Sequence, residues 1–222
     1  MQQIQQDLDR LQSSQVSYPY FVEAALEAIQ RECPQADPKV LCDHVEILDP
    51  DWQNAIEGYI GGARFSIVVE EEYESDAIRI VRSMPGGNRA RVIQGSKAKL
   101  DAERSKAPHN SIMKLMKFEH ATAKHYLLAS YGSVEQVPDA CTLRKTRRSR
   151  TKEGMGSGSY CMYRCDMDDR ELVFGQGARE RAQGAKQREF QHLAELASNA
   201  QQSMREAQDL LLSVNQLRHL SY

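Results

Sequence analysis

A mixed α/β globular domain, inserted between the two arms of an antiparallel coiled coil, is the architecture to expect from this chain. Three observations carry that expectation. From Phe190 onward, apolar residues fall alternately three and four apart. A shorter stripe with the same spacing lies near the N-terminus. Between the two, residues 34–174 alternate helical patterns with short apolar runs, which suits a small sheet covered by helices.

The C-terminal stripe places Phe190, Leu193, Ala197, Ala200, Met204, Ala207, Leu211 and Val214 at a and d positions over four heptads. Gln, Glu, Ser and Asn fill most other places, and no Pro or Gly follows Gly184. So narrow a seam predicts a coiled coil in place of a helix packed on a globular core. From Ala185 to Leu220 the helix would be on the order of 50 Å long at ~1.5 Å per residue, too long for a small domain to cover. It needs a partner helix.

The N-terminal "MQQIQQDLDRLQ" sets Ile4, Leu8 and Leu11 at d, a and d. The register continues through Gln15 and Tyr18 to Val22, Ala25 and Ile29. Pro19 falls inside it and predicts an interruption or kink, with Ser14 or Ser17 available to cap a restart. Two amphipathic helices in an ordinary bundle are the plainer alternative. The expected division is an N-terminal arm over residues 1–33, a globular domain over 34–174 and a C-terminal arm over 175–222.

Within the middle region, "DPDWQNAIEGYIGG" has an Asp cap, Trp52, Ile56 and Ile60 at helical spacing, and a Gly-Gly stop. "FSIVVE" predicts a buried strand, "EYESDAIRIVRSMPGG" a second helix and "RARVIQG" another strand. Lys97 to Asn110 is polar, a loop or a short helix. "SIMKLMKFEHATAKHYLLASYG" reads as helical, in two pieces. A strand is expected from Cys141 to Arg148, then a turn through "KEGMGSG" and a return strand "SYCMYR".

Composition narrows the function classes. The 222 residues carry a formal net charge of -2 and a mean hydropathy of -0.62, with no run of the roughly 18 apolar residues that span a bilayer. The five cysteines are irregularly spaced and follow no apolar leader, which predicts a reduced, cytoplasmic setting. Against this near-neutral background, Arg144, Lys145, Arg147, Arg148, Arg150 and Lys152 form a local basic run without an acid. Such a run suits phosphate backbones, with binding driven by counterion release. In an extended strand Arg144, Arg148, Arg150 and Lys152 would share one face, with Lys145 and Arg147 opposite. A solvated edge strand is the plainer reading. No aromatic residue alternates with the arginines, so any DNA contact should be insensitive to sequence.

Three segments together resemble the hinge of SMC-family proteins: "DPDWQNAIEGYIGGARFSIVVE", "GMGSGSYCMYR" and "LVFGQGARERAQGAK". The last is similar to a Phe-Gly-x-x-Ala-Arg-Glu segment where the chain re-enters its coil. The resemblance spans roughly Leu41 to Lys186 and is nearest the divergent bacterial branch of MukB and the Wadjet plasmid-defence condensins. It implies a longer parent with ATPase heads at the far end of the arms, of which this chain is the hinge. It also implies a homodimer, non-specific DNA contact, kleisin-type subunits on the parent, and a place at the bacterial nucleoid or on plasmids.

Closely spaced Gly154, Gly156 and Gly158 serve a hairpin turn needing positive φ, or expose backbone N–H groups to phosphate. The resemblance adds that they let two hinge sheets approach across a dimer interface. The chain lacks G-x-x-x-x-G-K-[ST], so we expect no nucleotide hydrolysis from it. Cys161 and Cys165 are separated by three residues and should lie on one strand face as packed thiols; they do not form the Cys-x-x-Cys of a zinc hook. His120 and His125 share no helical stripe, and Tyr126 and Tyr131 suit packing. Asp166 to Asp169 form an acidic turn. No nucleophile has a base, so no catalytic residue, cofactor or metal is expected. The alternative from another class is a regulatory or adaptor protein, a small α/β domain on a coil without DNA binding.

Overall fold

The structure, a computed structural model, describes residues 18–219, with side chains to Val214. They fall into two compact units, one ending at Ala182 and the other beginning at Gln183.

In the first unit, helix α1 (Tyr20–Glu32) turns Val22, Ala25 and Ile29 into the main core. Those three residues were expected to continue an arm; the structure uses them to build the globular domain. Each fully buried Val or Ile contributes about 1.5–3 kcal/mol through lost water contact. Ile4, Leu8 and Leu11 lie outside the described residues. Pro19 stands just before the helix, where a missing N–H costs nothing.

Strand β1 (Lys39–Val40) pairs antiparallel with β3 (Ile67–Val68), and β2 (Val45–Ile47) pairs antiparallel with β4 (Met116–Phe118). Between them, the Asp49 side chain accepts the Asp51 N–H at 3.0 Å and starts a 3-10 turn leading into α2 (Gln53–Ile60). Gly61, at φ 57°, ends it. Helix α3 (Glu74–Ser83) buries Ala77 and Val81. "RARVIQG" contributes a single parallel bridge, Ile67 to Val92, and no strand of its own.

Helix α4 (Gly95–Arg104) is the short helix that stood beside a loop as the expectation for Lys97 to Asn110. It packs on α5 (Ala121–Tyr131), and Ala98, Ala102 and Ala123 of the pair are buried. The stretch Ser111–Gly132 is therefore only partly helical. A 3-10 turn at Ile112–Leu115 passes into β4 before α5 begins, because β2 offers the backbone partners that a continued helix would forgo.

The remaining sheet has the order β5-β6-β7-β8: β5 (Glu135–Gln136), β6 (Ser149–Arg150), β7 (Met155–Gly158) and β8 (Cys161–Arg164). Only β5 and β6 are parallel. The strand expected from Cys141 to Arg148 is helix α6 (Ala140–Lys145) followed by an irregular link. The Asp139 carboxylate accepts the Thr142 N–H at 2.8 Å, an N-cap that commits the next turn to helix.

Helix α7 (Gln176–His219) starts well before Ala185 and spans 44 residues. Its first turns bury Ala178 and Ala182 with Leu172. In the second unit, the seam residues Leu193, Met204, Leu211 and Val214 are exposed along a single helix. That is the surface a coiled-coil partner covers. No helix among the described residues is long and apolar enough to cross a membrane.

Candidate functional site

The site is built on the β5-β6-β7-β8 sheet. The ladder sets Arg150 opposite Gly156 and Gly156 opposite Tyr163, so three strands contribute one cross-strand row. Arg150 is 0 % exposed. Its Nη1 donates to the carbonyls of Ser149 and Ser157, and its Nη2 to the Tyr163 hydroxyl at 2.5 Å. Tyr59, from α2, covers the guanidinium, with the ring centroid 3.3 Å from Cζ. The Tyr163 ring centroid is 5.0 Å away.

The glycines have internal reasons to be glycine. A Cβ on Gly156 would sit 2.7 Å from Arg150 Nη1, so the missing side chain makes room for the guanidinium. Gly154, at φ 79°, closes the β6–β7 turn and has the backbone of Asp166 against it. Gly154 and Gly156 are buried within the single chain, while Gly158 is half-buried beside the Tyr163 hydroxyl.

The six basic residues separate. Arg144 and Lys145 lie in α6 and Arg147 in the link, all exposed and without an ion pair among the described residues. Arg148 donates through Nη2 to the Tyr59 hydroxyl at 2.8 Å and the Ser130 carbonyl at 3.1 Å. Lys152 pairs with Asp51 at 2.5 Å. Arg150 is internal. The single basic face expected of one strand does not form, because half of that strand is a helix and one of its arginines faces the core.

The strand β8 is the open edge of this sheet, and all four of its residues are exposed. Met162 is 56 % and Tyr163 41 % exposed, with Tyr160 and Met155 exposed nearby. Cys161 lies on this edge, whereas Cys165 beyond it is buried, and burial pushes its thiol pKa up. The two are thus not packed together. Two carboxylates of the acidic turn pair with flanking arginines and the third accepts from an amide. Asp166 pairs with Arg164, Asp168 with Arg170, whose bonds lower its pKa to about 2, and Asp169 accepts from Asn54. Among the described residues no group of three His, Cys, Asp or Glu could hold a metal. His120 accepts the Thr122 N–H and caps α5, and Tyr131 packs edge-on against Tyr59 and Tyr126.

No family model and no curated protein sequence matches the chain. Solved structures do. The Geobacillus stearothermophilus SMC hinge domain, crystallised as an asymmetric dimer, matches 89% of this chain and 86% of its own, with TM-score 0.52 and 18% identity. The chain has the SMC hinge fold. A Pyrococcus furiosus Smc hinge domain with an extended coiled coil matches 89% of this chain and 73% of its own, at TM-score 0.53 and 16% identity. The S. pombe Smc5/6 hinge domain matches 76% and 71%, at TM-score 0.51 and 15% identity.

Within this hinge fold, a second cluster ties the start of α7 to the globular unit. Glu57 of α2 is fully buried, accepts the backbone N–H groups of Val173 and Phe174, and pairs with Arg64 at 2.8 Å. Arg64 also donates to the carbonyls of Gly61 and Glu171. Nearby, the Asp43 carboxylate accepts from both the Tyr18 hydroxyl and Arg179, the latter at 2.7 Å. Burial, then the bond to Asp43, raises the Tyr18 pKa. Sequence reading missed these residues, though Gln53, Glu57, Ile60 and Arg64 are spaced four, three and four apart, placing polar groups on the buried stripe. Arg179 stood in the quoted Phe-Gly-x-x-Ala-Arg-Glu segment without a role.

Proposed function

We propose that this chain is the hinge of an SMC-like protein, a self-association module that joins two long coiled-coil arms. The observation that carries the reading is β8. It is an edge strand with unpaired backbone groups and exposed Met162 and Tyr163, a surface that invites another strand. A second copy of the chain is its natural occupant, since the similar Geobacillus hinge is a dimer. The exposed seam of α7 supports an arm that takes a partner helix.

In a longer parent of the MukB or Wadjet type, two hinges would close a compartment around DNA, with ATPase heads and kleisin-type subunits at the far end. The hinge itself hydrolyses nothing. Arg144, Lys145 and Arg147 are its exposed cations for phosphate contact, independent of base sequence. The setting is the bacterial cytoplasm, at the nucleoid or on plasmids.

Sedimentation equilibrium on the wild type and on Met162→Glu tests the central claim. The wild type is expected near twice 25.2 kDa, and the variant near the monomer mass with unchanged circular dichroism. A wild type that stays monomeric at all concentrations overturns the hinge reading and favours an adaptor.

A further inference from the structure

The Arg150 guanidinium sits in a place that is expensive for a charge. It is buried, bonds to no carboxylate among the described residues, and its Nε is buried without a hydrogen-bond partner. Desolvating an unneutralised cation is unfavourable, and an apolar side chain of similar volume often serves stability as well or better. Nor is the guanidinium needed to hold β7 to β8, which share a four-residue ladder. One thing it does that Met or Leu cannot is bind the phenol of Tyr163. That phenol belongs to the open edge strand, on a residue that is 41 % exposed. Tyr59 covers the guanidinium on one side, Gly156 lies close to it, and two carbonyls hold Nη1, so the Tyr163 hydroxyl is bonded to an anchored group.

We propose that Arg150 is a positioning residue for self-association: it locks the Tyr163 ring in one direction, so that β8 meets the second copy with its aromatic contact already set. Ordering a ring before association removes that entropy loss from the binding step. The inference deepens the self-association reading and rests on it.

The test is the dimer dissociation constant of the full chain by sedimentation, for wild type, Arg150→Met, Tyr163→Phe and the double variant. Tyr163→Phe removes one hydroxyl and leaves the ring and its apolar area. Each single variant is expected to weaken the dimer about tenfold, the equivalent of about 1.4 kcal/mol. The double variant should lose no more than either single one, because both changes break one clamp. Thermal midpoints of the dissociated monomers should not fall in parallel. Tyr163→Phe dimerising like wild type overturns the proposal, as do losses that add in the double variant. If Arg150→Met does not fold, Tyr163→Phe decides alone. A wild type that never dimerises is a different result, since it removes the hinge reading on which the clamp depends.

Discussion

Arg150 sits over the Tyr59 ring, its guanidinium carbon 3.3 Å from the ring centroid, and so joins the glycine-rich sheet to helix α2 from inside. A basic residue in a run that looks made for DNA is in fact part of the interior. This contact makes two neighbouring glycines unequal.

Gly156→Ala places a methyl 2.7 Å from Arg150 Nη1 and forces the guanidinium off Tyr59. A loss of about 1–3 kcal/mol is expected, as for other overpacked sites. Gly158→Ala meets only the Tyr163 hydroxyl at 3.6 Å, an ordinary contact, and should change stability by less than about 0.5 kcal/mol. Urea midpoints compare the two, and equal losses would contradict the packing described.

Glu57→Ala leaves Arg64 buried without its carboxylate and strips two backbone N–H groups of their acceptor. Removing one member of a buried pair is worth about 3–5 kcal/mol. Equilibrium denaturation measures the loss, and hydrogen exchange should rise first at Val173 and Phe174. Unchanged protection there would show that the carboxylate does not hold this segment.

The His44 ring packs against that of His120 with centroids 5.1 Å apart, and its Nε2 is buried without a partner. Burial, then the neighbouring His120, lowers its pKa below the ordinary 6.5, with Lys39 acting the same way and Asp43 and Glu119 opposing. The unfolded chain therefore takes up this proton first as pH falls. The stability contribution is complete above 6.5 and is lost as pH drops through the folded value. Denaturation midpoints measured from pH 8 to pH 5 should decline, and His44→Gln should flatten that decline.

Replacing Arg144, Lys145 and Arg147 together by Ala should weaken binding to a mixed-sequence duplex. The slope of log affinity against log salt should flatten by about 0.9 for each phosphate contact removed. Fluorescence anisotropy over a salt series reads both. An unchanged slope would take these residues out of any DNA surface.

What the sequence made legible follows the range of the forces involved. The stripes of α1, α2 and α7 were visible because helical periodicity is local. Their assignment was not: Val22, Ala25 and Ile29 have arm spacing, yet only the tertiary fold shows that they face the core. Met116–Phe118 reads as helix until β2 supplies its ladder, Glu46 facing Lys117 from 71 residues away. The helix at Ala140–Lys145 stands where a strand was expected; its local signal is Asp139, which caps it and went unread in the sequence. Arg150 was the hardest to see, because nothing short of the Arg150–Gly156–Tyr163 register says that an arginine in a basic run turns inward.

Asp43 has a mechanical consequence. Tyr18, near the start of the described chain, and Arg179, where the globular unit passes into its long helix, are bonded to the same carboxylate. A load applied at Tyr18 and at Arg179 therefore has a path through the Asp43 carboxylate, beside the Glu57 and Arg64 bonds that hold Glu171, Val173 and Phe174. None of these residues belongs to the β5–β8 sheet, so the edge strand lies off both paths.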